Sequence, residues 1–358
     1  MNEFGVRYRI GVFGASHAPC IGAKIEGCPA GTKISEAVIQ AELDRRSPGK
    51  GPLSTPRNER DRLELISGIH NGKATGGPIV GLVRNEDTDS SAYDAFLRVP
   101  RPGHADYPAL VKYGGHHDHR GGGQFSGRMT AALVIGGAIA RQVLERRRIS
   151  LLAQTVQIGT VKLEKEVPFS ITEKMVRQSA VACADRRTGQ LMTEEILKAH
   201  DDRDSVGGIV SCSIVGLPVG VGEPFFESIE SAVAEMMFSI PGVKGVEFGS
   251  GFACAGMRGS EHNDPFIIKN GMVVTKTNNA GGILGGLSNG MPVQFRVAFK
   301  PTSSIGKPQM SVDIVDKKPV ELEIKGRHDP CIVPRAVPVV ENSAAAVILD
   351  LMLQGGFV

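Results

Sequence analysis

An α+β fold with antiparallel sheets is what this 358-residue sequence predicts. Three observations carry that reading. Strand pairs and helices alternate without the steady βαβ rhythm of a doubly wound sheet. The 45 glycines are dispersed into short loops rather than gathered into a Gly/Ser linker, which favours one compact body. Two stretches also repeat: Pro78-Ile79-x-x-x-Val83 with Thr88-x-Ser90 has the spacing of Pro292-Val293-x-x-x-Val297 with Thr302-x-Ser304, and an Asn-Gly at 71–72 and 289–290 precedes each. Such matching is expected of two related halves within one domain, residues 1–358.

Along the chain, a strand near 6–13 runs into Gly14-Ala15-Ser16-His17, and a second near 22–27 ends at Cys28-Pro29-Ala30-Gly31, together forming a hairpin. Ser35 is placed to cap a helix of about 12 residues, with Ile34 and Ile39 as a hydrophobic staple and Ser47-Pro48-Gly49 as its stop. Arg45 and Arg46 fall at its C-terminal end. The run from Thr130 to Arg148 is apolar nearly all round before turning basic, as in a helix that begins in a core and leaves it. Strands near 151–163 and 207–216 follow, with helices near 173–183, 193–200, 228–238 and 340–354.

Composition removes several classes. Glycine without a three-residue period is not collagen, and 41% apolar residues is too many for a disordered chain. The longest apolar runs fall short of the roughly 18 residues of a membrane span. A net charge of +3 is low for a nucleic-acid binder, yet arginines 45, 46, 57, 60, 62, 98, 101, 120 and 128 crowd the first third, which suits a small polyanionic ligand. The six cysteines form no C-x-x-C pair and read as reduced core residues. The N-terminus lacks the pattern of a secretory signal, so a cytoplasmic, membrane-free protein is expected.

Four segments combine glycine with titratable residues. Gly14-Ala15-Ser16-His17 offers a general acid or base at a strand end, although alone it is also an ordinary turn histidine. Between Arg101 and Arg128, three glycines (121–123) precede a helix start near Ser126, so backbone N–H groups can face an anion. This is neither a Walker A loop nor a dinucleotide fingerprint. His116, His117 and His119 lack a second cluster with zinc spacing, and no metal is expected. The run Asn278–Gly290 lets backbone approach a flat ligand, and Lys300-Pro301-Thr302-Ser303-Ser304 follows with an ammonium and hydroxyls; a glycine-rich hairpin is the alternative. Gly326-Arg327-His328-Asp329 sets a carboxylate among cationic groups, or is a surface turn.

In this order the segments resemble the chorismate synthase family over nearly the whole chain. The matching motifs are FGxSHxxxIGxxIxGxPAG (13–31), LDRRxPG (43–49), RPGHADY (101–107), the 112–128 stretch KYG…RGGG…S-x-R, NAGGILGGLSNG (279–290), KPTSS (300–304) and GRHDPC…RAVPxxE (326–341). The resemblance implies an α+β single domain of two pseudo-duplicated halves, with helices packed on antiparallel four-stranded sheets and a homotetrameric assembly. It implies conversion of 5-enolpyruvylshikimate 3-phosphate to chorismate and phosphate with reduced FMN as cofactor, supplied by an external flavin reductase because 358 residues leave no room for a reductase domain.

Carried over residue by residue, His17 is the acid near the departing phosphate, His104 the group at the flavin's pyrimidine edge, and Asp329 the acceptor acting with flavin N5 on the C6 proton. FMN would lie against Gln124, Phe125, Ser126, Gly285, Lys300, Pro301, Thr302, Ser303, Ser304 and Arg327. Arg45, Arg46, Arg128 and Arg335 are assigned to the substrate's anionic groups or to NADP, since guanidinium forks match such anions. Ala15, Ala18 and Pro52 depart from the commoner family pattern, and Ala15 removes a carboxylate close to His17. The rival readings are another FMN-dependent oxidoreductase and a non-catalytic phosphoanion-binding protein. Loops this rich in arginine are expected to be mobile without ligand.

Overall fold

The computed structural model describes residues 2–48, 53–54, 61–86, 89–91, 93–164, 169–324 and 328–358, without the side chains of 169–171. Two antiparallel sheets carry the fold. In the first, strands Arg9–Gly14, Cys20–Glu26, Ile79–Arg84 and Leu63–Ser67 lie side by side in that order. In the second the order is Ser150–Ile158, Gly208–Val215, Val293–Phe299 and Val243–Phe248. Each sheet therefore has the same arrangement, with the fourth long strand of the half inserted beside the second. The repeated Pro-Ile and Pro-Val motifs open the corresponding strands, Ile79–Arg84 and Val293–Phe299, so the weak repeat in sequence marks a real duplication of topology. Beyond the four long strands, each sheet gains a two-residue edge strand, Glu3–Phe4 or Val161–Lys162.

The expected opening hairpin is present, with Arg9 opposite Glu26 and Gly14 opposite Ile21. Alternate residues Ile21, Ala23 and Ile25 are buried, as a strand with one face on a core requires. A helix follows the second strand of each half, Glu36–Arg46 and Ile229–Ser239, and a long helix follows the fourth, Thr130–Glu145 and Val333–Gln354. The two long helices pack on each other and are buried over almost their whole length. Gly137 sets their approach: a Cβ there would overlap the backbone of Asn342.

Several boundaries differ from the sequence reading. Ser35 precedes the first helix, yet its side chain makes no capping bond; its N–H donates instead to Gln142 Oε1 at 2.7 Å, tying the helix start to the central helix. The helix read at 193–200 begins at Arg186, because Asp185 accepts a hydrogen bond from the Thr188 N–H at 2.7 Å and supplies a cap. The helix read at 173–183 spans Phe169–Gln178. The last helix starts at Val333 rather than 340: Pro334 sits in its first turn, where a missing N–H costs nothing, and Pro338 is accommodated inside. By length and composition this helix matches a membrane span, contrary to the run-length argument, but 94% of its apolar window is buried against the rest of the chain. Of the cysteines, Cys28, Cys183, Cys212 and Cys331 are core residues as expected, whereas Cys20 is half-buried and Cys254 exposed.

Candidate active site

A cavity of about 670 Å³ opens between the halves. The first half lines it with Arg46, Tyr93, Arg101, His104 and the loop from Gly121 to Arg128, and the second with Phe238–Lys244, Lys300–Ser304, Asp329 and Arg335. Its size lies within the range of small-ligand sites.

The glycine triplet forms the wall that brings the histidines together. Gly121, Gly122 and Gly123 all have positive φ, at 62°, 82° and 53°. A Cβ on Gly121 would overlap the His17 ring, and one on Gly122 would lie 3.3 Å from His104 Nε2. His17 is buried, with Nδ1 2.8 Å from Ser90 Oγ and its ring set edge-on to Tyr93 at 5.3 Å between centroids. It stands behind Gly121, in the layer next to the cavity lining. Beside it, the buried Ser16 Oγ has no hydrogen-bond partner among the described residues.

His104 faces the cavity with Nδ1 2.5 Å from Asp106 Oδ1. Burial pushes the Asp106 carboxyl up, but bonds from Arg101 and His104 outweigh it and hold it well below the usual carboxylate range. Arg101 completes the group: Nη2 donates to Asp106 Oδ1 at 2.7 Å, Nη1 to Ser304 Oγ at 3.2 Å, and its guanidinium lies 4.5 Å from the Phe96 ring centroid. The two serines of the sequence repeat, Ser90 and Ser304, thus serve opposite sides of one site, reaching His17 and Arg101.

The four arginines named from the sequence, Arg45, Arg46, Arg128 and Arg335, all have acidic partners. Asp61, fully buried, accepts from Arg46 and Arg128, and Ser47 Oγ donates to it at 2.8 Å. Arg335 Nη1 lies 2.7 Å from Asp329 Oδ2. Thr302 Oγ1 donates to the Asp329 backbone carbonyl at 2.7 Å, binding the KPTSS segment to the GRHDPC turn. Arg45 is absent from the cavity lining: it pairs with Glu42 at 2.5 Å and Glu341 at 3.4 Å between the first and last helices. Burial and the charges of Arg335 and Arg128 lower the Arg46 guanidinium below its ordinary value, against the opposing charge of Asp61.

Two lysines behave differently. Lys300 and Lys244 both line the cavity and, among the described residues, neither has an acidic partner. Burial lowers the Lys300 ammonium below its ordinary value, and the charge of Lys244 lowers it further. A second layer of like charge kept at a cavity wall favours an anion there.

Of the residues named from the sequence, the cavity lining includes His104, Asp329, Gln124, Phe125, Ser126, Lys300 to Ser304, Arg46, Arg128 and Arg335. Gly285 lies elsewhere, in the turn between strands Ile283–Leu284 and Leu287–Ser288, and Arg327 falls outside the described residues. Sequence reading missed Asp61, Asn85, Lys244 and the 238–243 segment. Asn85 joins two parts of the site, accepting from Arg128 Nε at 2.8 Å and donating to the Ala15 and Ala18 carbonyls at 3.0 and 2.6 Å.

Residues 8–353 match the family model described as chorismate synthase. The chain is 46% identical to a chorismate synthase of Methanococcoides burtonii over 100% of its length and 97% of that protein. It is 48% identical to one of Korarchaeum cryptofilum over 98% of this chain and 97% of that one. A crystal structure of a chorismate synthase, 27% identical, superposes with a TM-score of 0.77 over 98% of this chain and 93% of the other.

Proposed function

This chain belongs to the chorismate synthase family, and from that premise we propose which of its residues carry the reaction. The activity is that of a lyase of the shikimate pathway: 5-enolpyruvylshikimate 3-phosphate loses its 3-phosphate and a C6 hydrogen, giving chorismate.

The residues present suit a flavin mononucleotide and a second anion in one cavity. Lys300, Lys244 and the Thr302, Ser303 and Ser304 hydroxyls would hold the flavin phosphate, with Gln124 and Phe125 along its ring. When bound there, reduced FMN would supply electron density to the departure of the phosphate. His104, oriented by Asp106, would hold a proton toward the bound flavin. His17, one layer behind the lining at Gly121, is the proposed proton source for the departing phosphate, and Asp329 receives the C6 proton, with Arg335 fixing the carboxylate. Arg46 and Arg128 hold the substrate's anionic groups. The observation that supports this assignment is the glycine loop, whose consecutive residues Gly121 and Gly122 lie against His17 and His104: His104 lines the cavity together with Asp329, and His17 stands one layer behind Gly121.

The same reading has the enzyme act in the cytoplasm as a single-domain homotetramer fed with reduced FMN by a separate reductase. One continuous buried cluster spanning both halves supports the single domain. Exposed Phe266, Ile268, Met272 and Val273 on the hairpin Phe266–Thr275 support assembly, since such patches mark contact surfaces.

An anaerobic assay with purified protein, reduced FMN and 5-enolpyruvylshikimate 3-phosphate tests the reaction. Equal amounts of chorismate and phosphate without net flavin oxidation are expected. Tight flavin binding without products would favour a different flavin enzyme or a phosphoanion-binding protein.

A further inference from the structure

Building on the chorismate synthase reading, we propose that Asp61 is a positioning residue whose buried carboxylate clamps Arg46 and Arg128 into one fixed pair for the anionic substrate. Both oxygens are used: Oδ2 takes Arg46 Nε at 2.9 Å together with Arg46 Nη2, and Oδ1 takes Arg128 Nη1. Ser47 Oγ adds a fourth donor at 2.8 Å, fixing the carboxylate itself. Arg128 is held from two further sides, by Asn85 Oδ1 at 2.8 Å from Nε and by the Arg84 carbonyl at 3.2 Å from Nη2. The side chains of Arg46, Arg128 and Asp61 are all buried, and both arginines line the cavity.

Burial alone would raise the Asp61 carboxyl, and the two guanidinium groups reverse that, so the clamp is ionised at neutral pH. Without it, two buried guanidinium groups would face each other and separate. Fixing Arg46 through Asp61, and Arg128 through Asp61, Asn85 and Arg84, is how a flexible pair of long side chains becomes a rigid anion receptor.

Charge and geometry predict opposite outcomes for Asp61→Asn. Removing a carboxylate makes the wall more positive, which by Coulomb attraction alone tightens anion binding. Losing the clamp frees both guanidinium groups and weakens it. The test is calorimetric titration of the full chain, saturated with FMN so that the flavin phosphate subsite is filled, with inorganic phosphate and with 5-enolpyruvylshikimate 3-phosphate. The expected result is a Kd for both anions raised by about 10- to 100-fold, a KM that follows it, a smaller change in kcat, and an FMN Kd within about threefold of wild type.

Asp61→Glu keeps the charge but moves the carboxylate by one methylene, and is expected to weaken both anions in the same direction by less. It also keeps the question decidable if Asp61→Asn does not fold. Unchanged or tighter phosphate binding in Asp61→Asn, or wild-type affinity in Asp61→Glu, overturns the clamp. A wild-type protein that makes no chorismate overturns the functional reading instead, and the phosphate titration still decides the clamp.

Discussion

Gly121 lies so close to the imidazole of His17 that no side chain fits between the glycine loop and the histidine. Its φ of 62° adds a second reason for glycine, because an L side chain is strained there. Gly121→Ala is therefore expected to push His17 from its bond with Ser90 and to lower kcat by about 10- to 100-fold, the usual consequence of misplacing a reacting group by about 1 Å. Single-turnover chorismate formation measures this. A variant with wild-type kcat would mean that His17 does not need its observed place.

Asp106 bonds His104 Nδ1 and so leaves Nε2 as the nitrogen nearer Gly122. Asp106→Asn is expected to lower kcat by about 10²- to 10⁴-fold, because an amide no longer selects one tautomer or stabilises a charged ring. Flavin affinity should change little. His104→Ala in the Asp106→Asn background should add almost nothing further, since the two residues act as one unit; additive losses would separate their roles.

Much of this site was legible because its chemistry is local. The glycines at 121–123, the KPTSS segment and the opening hairpin announce themselves through turn geometry and residue type over a few positions. Asp61 did not, because its partners Arg46 and Arg128 are 15 and 67 residues away and meet only when the first sheet forms. Arg45 and Arg46 are adjacent in sequence and look equivalent. They differ because successive helix positions are about 100° apart, which sends Arg46 to the cavity and Arg45 to Glu341 on the last helix. The start of that last helix was hidden for a different reason: Pro334 and Pro338 read as breakers unless the first is known to occupy the opening turn.

Lys244 is expected to bind the flavin phosphate together with Lys300. Lys244→Ala should raise the FMN Kd by about 10- to 100-fold, the worth of one charge-assisted bond, with a smaller effect on kcat at saturating flavin. The loss should shrink as salt is raised, because a partly exposed ion contact is screened. Fluorescence titration of FMN at two ionic strengths checks it, and an unchanged Kd would move the phosphate elsewhere in the cavity.

Glu341 sets the acid limit of stability. It is fully buried on the last helix, accepts from Arg141 and Arg45, and takes the Ala153 N–H at 3.1 Å. Burial raises its carboxyl, while Arg45 and Arg141 outweigh that and hold it below its ordinary value of 4.5. A carboxyl whose folded pKa is depressed stabilises the fold above its unfolded pKa. That contribution is lost as pH falls through the folded value. The thermal midpoint should therefore hold its Glu341 contribution from pH 7 down to about 5, then lose it below about 4.5. Glu341→Gln leaves the buried Arg141 and the half-buried Arg45 with Glu42 as their shared counter-charge and should cost about 3–5 kcal/mol at pH 7. The variant's midpoint should also fall less steeply below about pH 4.5, since the group that titrates has gone. Thermal unfolding followed by circular dichroism from pH 7 to 3 gives both curves, and parallel acid limbs would show that other carboxylates, such as Asp61 or Asp106, govern the acid transition.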